Sequence, residues 1–140
     1  MSEARLEVRV VFRVDASPEI GTGHVVRCLT LAAALRGRGA QCLFISQDHG
    51  GEFLDRIREN DFELVALPTP RSSFMPQGNS GNASPYLAWL RCDWQVDAEQ
   101  TRPVLERDPP KWLIVDHYAL DARWESALRP HCRRLLAIDD

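Results

Sequence analysis

Between Arg13 and Arg27 the chain carries a carboxylate at Asp15, a Gly21-Thr22-Gly23 turn, an imidazole at His24 and a guanidinium at either end. Glycines at 21 and 23 let backbone approach a ligand closely. The N–H groups opening the helix that follows present partial positive charge to an anion or a developing oxyanion. His24 sits where the helix dipole disfavours an imidazolium, so a neutral ring able to accept a proton is expected, a candidate general base; the competing role is a helix-capping histidine. Arg13 shares a strand face with Asp15, and Arg27 follows His24 by one helical turn. Both guanidiniums can therefore reach one crevice, or serve in structural ion pairs.

A second group of polar residues closes later apolar runs. Asp116, His117 and Tyr118 follow Trp112-Leu113-Ile114-Val115, and Asp139-Asp140 follow Leu135 to Ile138. Asp116 is expected at the site rather than as a loop cap, with His117 and Tyr118 as substrate contacts or, for Tyr118, a packing ring. A metal held by Asp15, His24, Asp116 and His117 would suit the chemistry of a divalent ion, but no HExxH, DxDxD or cysteine-rich ligand set is present, so none is expected. A dinucleotide fingerprint also fails: GxGxxG needs glycine where Val26 stands and an acid where Ser46-Gln47 stand, so no nicotinamide or flavin cofactor is expected. His49 reads as a solvated turn residue and His131 as surface, while Trp89, Trp94, Trp112 and Trp124 read as anchors of a core or a buried face.

These groups need a scaffold that brings strand ends together, and the hydrophobic pattern supplies one. Leu6, Val8, Val10, Phe12 and Val14 alternate with polar residues as a first strand. Val25, Leu29, Ala32 and Leu35 recur at helical spacing from His24, with Gly37 and Gly39 as stops. Gln41 to Ser46, Phe62 to Leu67, Trp112 to Val115 and Leu135 to Ile138 read as further strands. Helices are expected after Gly50-Gly51, from about Asp97 to Arg107 with Pro103 as a kink or a delayed start, and after a cap at Asp121. Strands alternating with helices predict an open parallel α/β sheet. In the common order 3-2-1-4-5, strands one and four are neighbours, so Asp15 and Asp116 would flank a crevice at the carboxyl ends, where such sheets bind ligands. From Pro68 to Pro85, 12 of 18 residues are Pro, Gly, Ser or Asn, which predicts a mobile surface loop.

With 140 residues, 44% hydrophobic and 26% charged, the chain fits one ordinary globular domain. A net charge of -3 gives no general attraction to nucleic acid or anionic lipid, so any anion must be met by a local cluster. Neither partner is expected. Cys28, Cys42, Cys92 and Cys132 form no CxxC pair and lie in or beside apolar stretches, which predicts reduced thiols. The start MSEARLEVRV has charges where a signal peptide would be apolar, and no run approaches the ~18 apolar residues of a membrane span. A cytoplasmic protein is expected.

The segments FRVDASPEIGTGHVVRCLTLAAAL, WLIVDHYALD and AIDD together resemble the nucleotide-sugar hydrolases of pseudaminic acid biosynthesis, grouped with the spore-coat polysaccharide proteins described as glycosyltransferases. The resemblance runs from Val10 to Asp140 and implies a Rossmann-like domain with helices on both sheet faces, the N-terminal half of a GT-B architecture. It implies a cytoplasmic enzyme that releases UDP from a UDP-diacetamido-trideoxy-hexose. His24 would activate water for inverting attack at the anomeric carbon, with no cofactor or metal. Asp15, Asp116, His117 and Tyr118 match family positions, and Asp15 or Asp116 would orient His24 or hold a sugar amide. Gly21, Thr22, Gly23 and His24, with Arg13 or Arg27, would offset pyrophosphate or oxyanion charge, and Asp139 and Asp140 would line the substrate site. The family continues into a second, nucleotide-binding domain. Residues 1–140 are therefore expected to be a first domain that needs a second, in cis or on a partner chain, and to turn over little alone.

Overall fold

The computed structural model describes residues 8–17, 20–49, 53–68 and 92–138. Five strands form one all-parallel sheet in the order β3-β2-β1-β4-β5: β1 (Arg9–Val14), β2 (Gln41–Gln47), β3 (Glu63–Leu67), β4 (Trp112–Asp116) and β5 (Arg134–Ala137). Helix α1 (Gly23–Gly37) joins β1 to β2, and α2 (Phe53–Glu59) joins β2 to β3. Helix α3 (Trp94–Arg107) precedes β4, and α4 (Ala122–Leu128) with a 3-10 turn (Arg129–His131) leads to β5. The fold is the Rossmann-like α/β sheet expected, with the strand order read from the sequence. The expected loop at 68–85, Trp89 and the Asp139-Asp140 pair lie outside the described residues, Pro68 excepted.

The central strands β1, β2 and β4 are buried on both faces, whereas the edge strands β3 and β5 are partly exposed. Val10, Phe12 and Val14 of β1 pack with Phe44, Ile114 and the α1 residues Val25, Cys28, Leu29 and Ala32. On the other face Val11 packs with Leu43, Ile45, Leu113, Val115 and with Ala98, Leu105, Trp124 and Leu128 of α3 and α4. Phe12 and Phe44 stack across neighbouring strands at 4.8 Å between centroids. Asp121 caps α4 by accepting from the Arg123 N–H (3.0 Å), as its position before the helix predicts.

Helix α3 begins three residues before the expected Asp97, at Trp94, and runs unbroken through Pro103. Pro103 and Glu99 are both exposed, so the carbonyl that proline leaves unpaired meets water instead of a core. The earlier start places Asp97, Ala98, Thr101 and Leu105 on one buried stripe. Two polar residues thus enter the core together, which sets up the chemistry beneath the site.

Candidate active site

Side-chain parity sorts the polar residues. Successive residues of a strand point to opposite faces, and the register pairs Val14 with Asp116. Val14 belongs to the α1 core, so Asp116 faces α1, whereas Arg13 and Asp15 face α3. Asp15 and Asp116 are neighbours in the sheet but project from opposite faces. This corrects the expectation that they flank one crevice.

On the α1 face, Asp116 is fully buried and gathers three α1 residues. Arg27 donates through Nε to Oδ2 and through Nη2 to Oδ1, both at 2.6 Å, a two-pronged geometry that aligns guanidinium and carboxylate. His24 Nδ1 lies 2.8 Å from Asp116 Oδ1 and 3.3 Å from the Asp116 backbone oxygen. The Cys28 thiol donates to Oδ2 at 3.4 Å; burial and the adjacent Asp116 push that thiol well above its usual range. The spacing 24, 27, 28 on one helix makes this convergence possible, because i+3 and i+4 share a face.

Two Asp116 oxygens face Nδ1, and a hydrogen assigned to that nitrogen satisfies them. In the neutral ring the lone pair is then on Nε2. The His24 side chain is 12% exposed, at the second position of α1, and Tyr118 packs edge-on against it at 4.7 Å. The α1 start has no acidic residue, and the Thr22 side chain caps none of its N–H groups. Gly21 has φ +80°, a conformation that disfavours side chains, while Gly23 has open space where a Cβ would project. An imidazole held by Asp116, helix N–H groups that the Thr22 side chain does not cap and a glycine with room around it therefore lie together at the start of α1. Arg27 is about one-third exposed, with two donors already on Asp116.

Arg13, Asp15 and His117 are elsewhere. Arg13 is wholly buried between two carboxylates, donating to Asp15 at 2.6 and 3.2 Å and to Asp97 at 3.1 and 2.5 Å. Burial works against its charge, but the flanking acids outweigh it and raise its pKa further. Asp15 also accepts from the Gln47 N–H (2.8 Å) and from His117 Nε2 (2.8 Å). Burial opposes its ionisation, yet Arg13 and then His117 hold its carboxyl well below the usual carboxylate range. Asp97 further accepts from Trp124 Nε1 (2.9 Å), Gln47 Nε2 (3.2 Å) and Thr101 Oγ1 (3.3 Å).

Arg13 and Asp15, expected at the substrate site, are instead fully buried and engaged with each other. His117, 5% exposed, likewise turns away from the surface. His49 is corrected too. Its side chain is buried with Nε2 3.4 Å from Asp15 Oδ2, without hydrogen-bond geometry, because residue 49 keeps the parity of Gln47 and returns to the α3 face. Asp97, Gln47 and Thr101 had gone unrecognised. Their signal is polar residues on the apolar stripe of a helix and at the end of an apolar strand. All four cysteines are free thiols, as expected. Among the described residues no helix is long and apolar enough to cross a membrane.

Three solved glycosyltransferases share this fold. The glycotransferase of kitacinnamycin superposes with a TM-score of 0.60 at 20% identity, over 94% of this chain and 30% of its own. A glycosyltransferase from Rickettsia africae ESF-5 gives 0.56 at 15% identity over 94% and 29%. LpCGTa, solved in complex with UDP, gives 0.56 at 23% identity over 90% and 28%. The chain thus spans about 30% of the length of these structures. No family profile and no curated protein matches the sequence.

Proposed function

We propose that this chain is the N-terminal Rossmann-like domain of a GT-B nucleotide-sugar hydrolase, in which His24 activates water to release UDP from a UDP-diacetamido-trideoxy-hexose. The observation that supports the reading is the Asp116–His24 contact, which holds Nδ1 of a ring at the start of α1 against a buried carboxylate. Nε2 takes a proton from water as its oxygen attacks the anomeric carbon. The C–O bond to the β-phosphate breaks on the opposite side, and UDP leaves with both electrons of that bond. Asp116 orients the ring and steadies the imidazolium formed, while Arg27 balances the Asp116 charge. The first N–H groups of α1, at and just past Gly23, favour the negative charge that builds on the departing phosphate. Tyr118 supports the ring. Asp139 and Asp140 would bound the substrate from the end of β5, and a second domain would supply most of the nucleotide contacts.

A transferase of the same architecture is the second reading, favoured by the glycosyltransferase structures that share the fold. It differs only in whether water or an acceptor hydroxyl gives up its proton to His24. The experiment is His24→Ala in the complete natural reading frame, measuring UDP release with and without candidate acceptors. A loss of about 10²–10⁴-fold in kcat is expected. Turnover at the wild-type rate would reduce His24 to a helix-start residue bonded to Asp116. Release that depends on an added acceptor would favour the transferase.

A further inference from the structure

Residues 116 and 117 are consecutive, and their side chains leave the sheet on opposite faces, each into a different polar network. We infer that His117 is a positioning residue for the Asp116–His24 pair, held by Asp15 so that the end of β4 stays in one orientation. The inference rests on His24 being the base proposed above, and one arm of its test does not.

The ring of His117 has both nitrogens engaged. Nδ1 accepts from the Ala119 N–H at 3.1 Å, so its hydrogen is on Nε2, which donates to Asp15 at 2.8 Å. The ring thereby ties the turn after β4 to a carboxylate on β1, and the Leu120 N–H closes the turn onto the His117 carbonyl at 3.1 Å. Asp15 is itself immobilised by Arg13 and by the Gln47 N–H, and Arg13 by Asp97 of α3. The 116–117 peptide lies between these anchors and His24. His24 Nδ1 reads the peptide twice, through the Asp116 side chain at 2.8 Å and through the Asp116 carbonyl at 3.3 Å. Rotation of that peptide moves the carbonyl acceptor while the carboxylate stays in place, and so turns the ring about its Oδ1 contact and redirects Nε2. Arg27 and Cys28 fix the carboxylate end of Asp116. The buried network that contains three expected site residues, Arg13, Asp15 and His117, thus acts on the site from behind the sheet.

Glutamine and asparagine separate this role from general stability. In His117→Gln the amide nitrogen stands near Nε2 and can reach Asp15; in His117→Asn the shorter amide can still accept from Ala119 but falls short of Asp15. In the complete natural reading frame, His117→Asn is expected to lower kcat for UDP release by about 10- to 100-fold with KM unchanged, the cost of misplacing a reacting group by about 1 Å. His117→Gln is expected to recover most of it. Ile57→Val, which removes a buried methylene from α2 on the other side of the sheet and touches none of these polar residues, is the stability control and should leave kcat within about twofold. A kcat for His117→Asn equal to wild type, or a loss in Ile57→Val equal to that in His117→Asn, overturns the inference. The arm independent of activity is a crystal structure of His117→Asn: the inference requires the His24 Nδ1–Asp116 contact to lengthen or rotate, and an unchanged contact refutes it even if His24 proves not to be the base. Should His117→Asn not fold, His117→Gln decides alone: wild-type kcat with the contact intact supports the role, and a folded Gln variant without the contact refutes it.

Discussion

Replacing Arg13 with methionine tests whether the buried network is the electrostatic keystone its geometry implies. Arg13 makes four contacts to two carboxylates and a fifth, at 3.4 Å, to the Ile45 carbonyl, all out of solvent. Arg13→Met keeps a similar chain volume but leaves Asp15 and Asp97 buried without their shared cation. Breaking a buried pair from one side costs about 3–5 kcal/mol, a large part of the roughly 5–15 kcal/mol that stabilises a domain. At this chain length the melting temperature should fall by about 10 °C or more at pH 7. The pH dependence gives a second sign. In the wild type the Asp15 pKa is held below its unfolded value, so its contribution is present above the unfolded pKa and is lost only as pH falls through the lower folded one. Without Arg13, burial dominates and raises the carboxyl. The resulting penalty is then full above the raised folded pKa and relieved as acid protonates the group. The gap between variant and wild-type melting temperatures should therefore narrow from pH 7 toward pH 4.5, as followed by calorimetry. A variant melting within about 3 °C of wild type, or a gap that widens on acidification, would refute the reasoning.

Other outcomes follow from single contacts. Gly23→Ala should leave the melting temperature nearly unchanged, since a Cβ there meets only open space, yet raise KM for the nucleotide sugar if substrate approaches that backbone; an unchanged KM removes Gly23 from the binding surface. Gly21→Ala should cost about 1–2 kcal/mol in a urea titration because it forces a side chain into φ +80°. Trp124→Phe removes the indole donor to Asp97 and should cost about 1–3 kcal/mol by the same measurement, with a near-neutral result showing that Asp97 re-pairs. Residues 1–140 alone should bind UDP weakly and release little from a UDP-sugar, and turnover equal to that of a longer chain containing a second domain would defeat the two-domain reading.

Much of the fold was legible because the central strands are buried on both sheet faces. That makes each of them a short apolar run between helices, a pattern that needs no tertiary information to read. The candidate site was legible in part. His24 and Arg27 one turn apart, behind two glycines, mark the start of α1 as a place for chemistry, and the structure puts Asp116 against both. Asp97 was hidden because a lone acid near an uncertain helix start looks like a surface residue until the helix phase is known. His49 was hidden because a histidine beside Gly-Gly looks like a solvated turn.

What the sequence alone determined is the element order, the parallel sheet and the residues available at its carboxyl end, since these follow from periodicity and local propensity. What only the tertiary structure decided is which acid serves which partner. The register that sets Val14 beside Asp116 sends Asp15 and Asp116 to opposite faces, because strand side chains alternate. One carboxylate consequently meets the α1 imidazole and the other joins a buried arginine. No spacing along the chain encodes that division, because it depends on how two strands 102 residues apart at His117 and Asp15 line up in space.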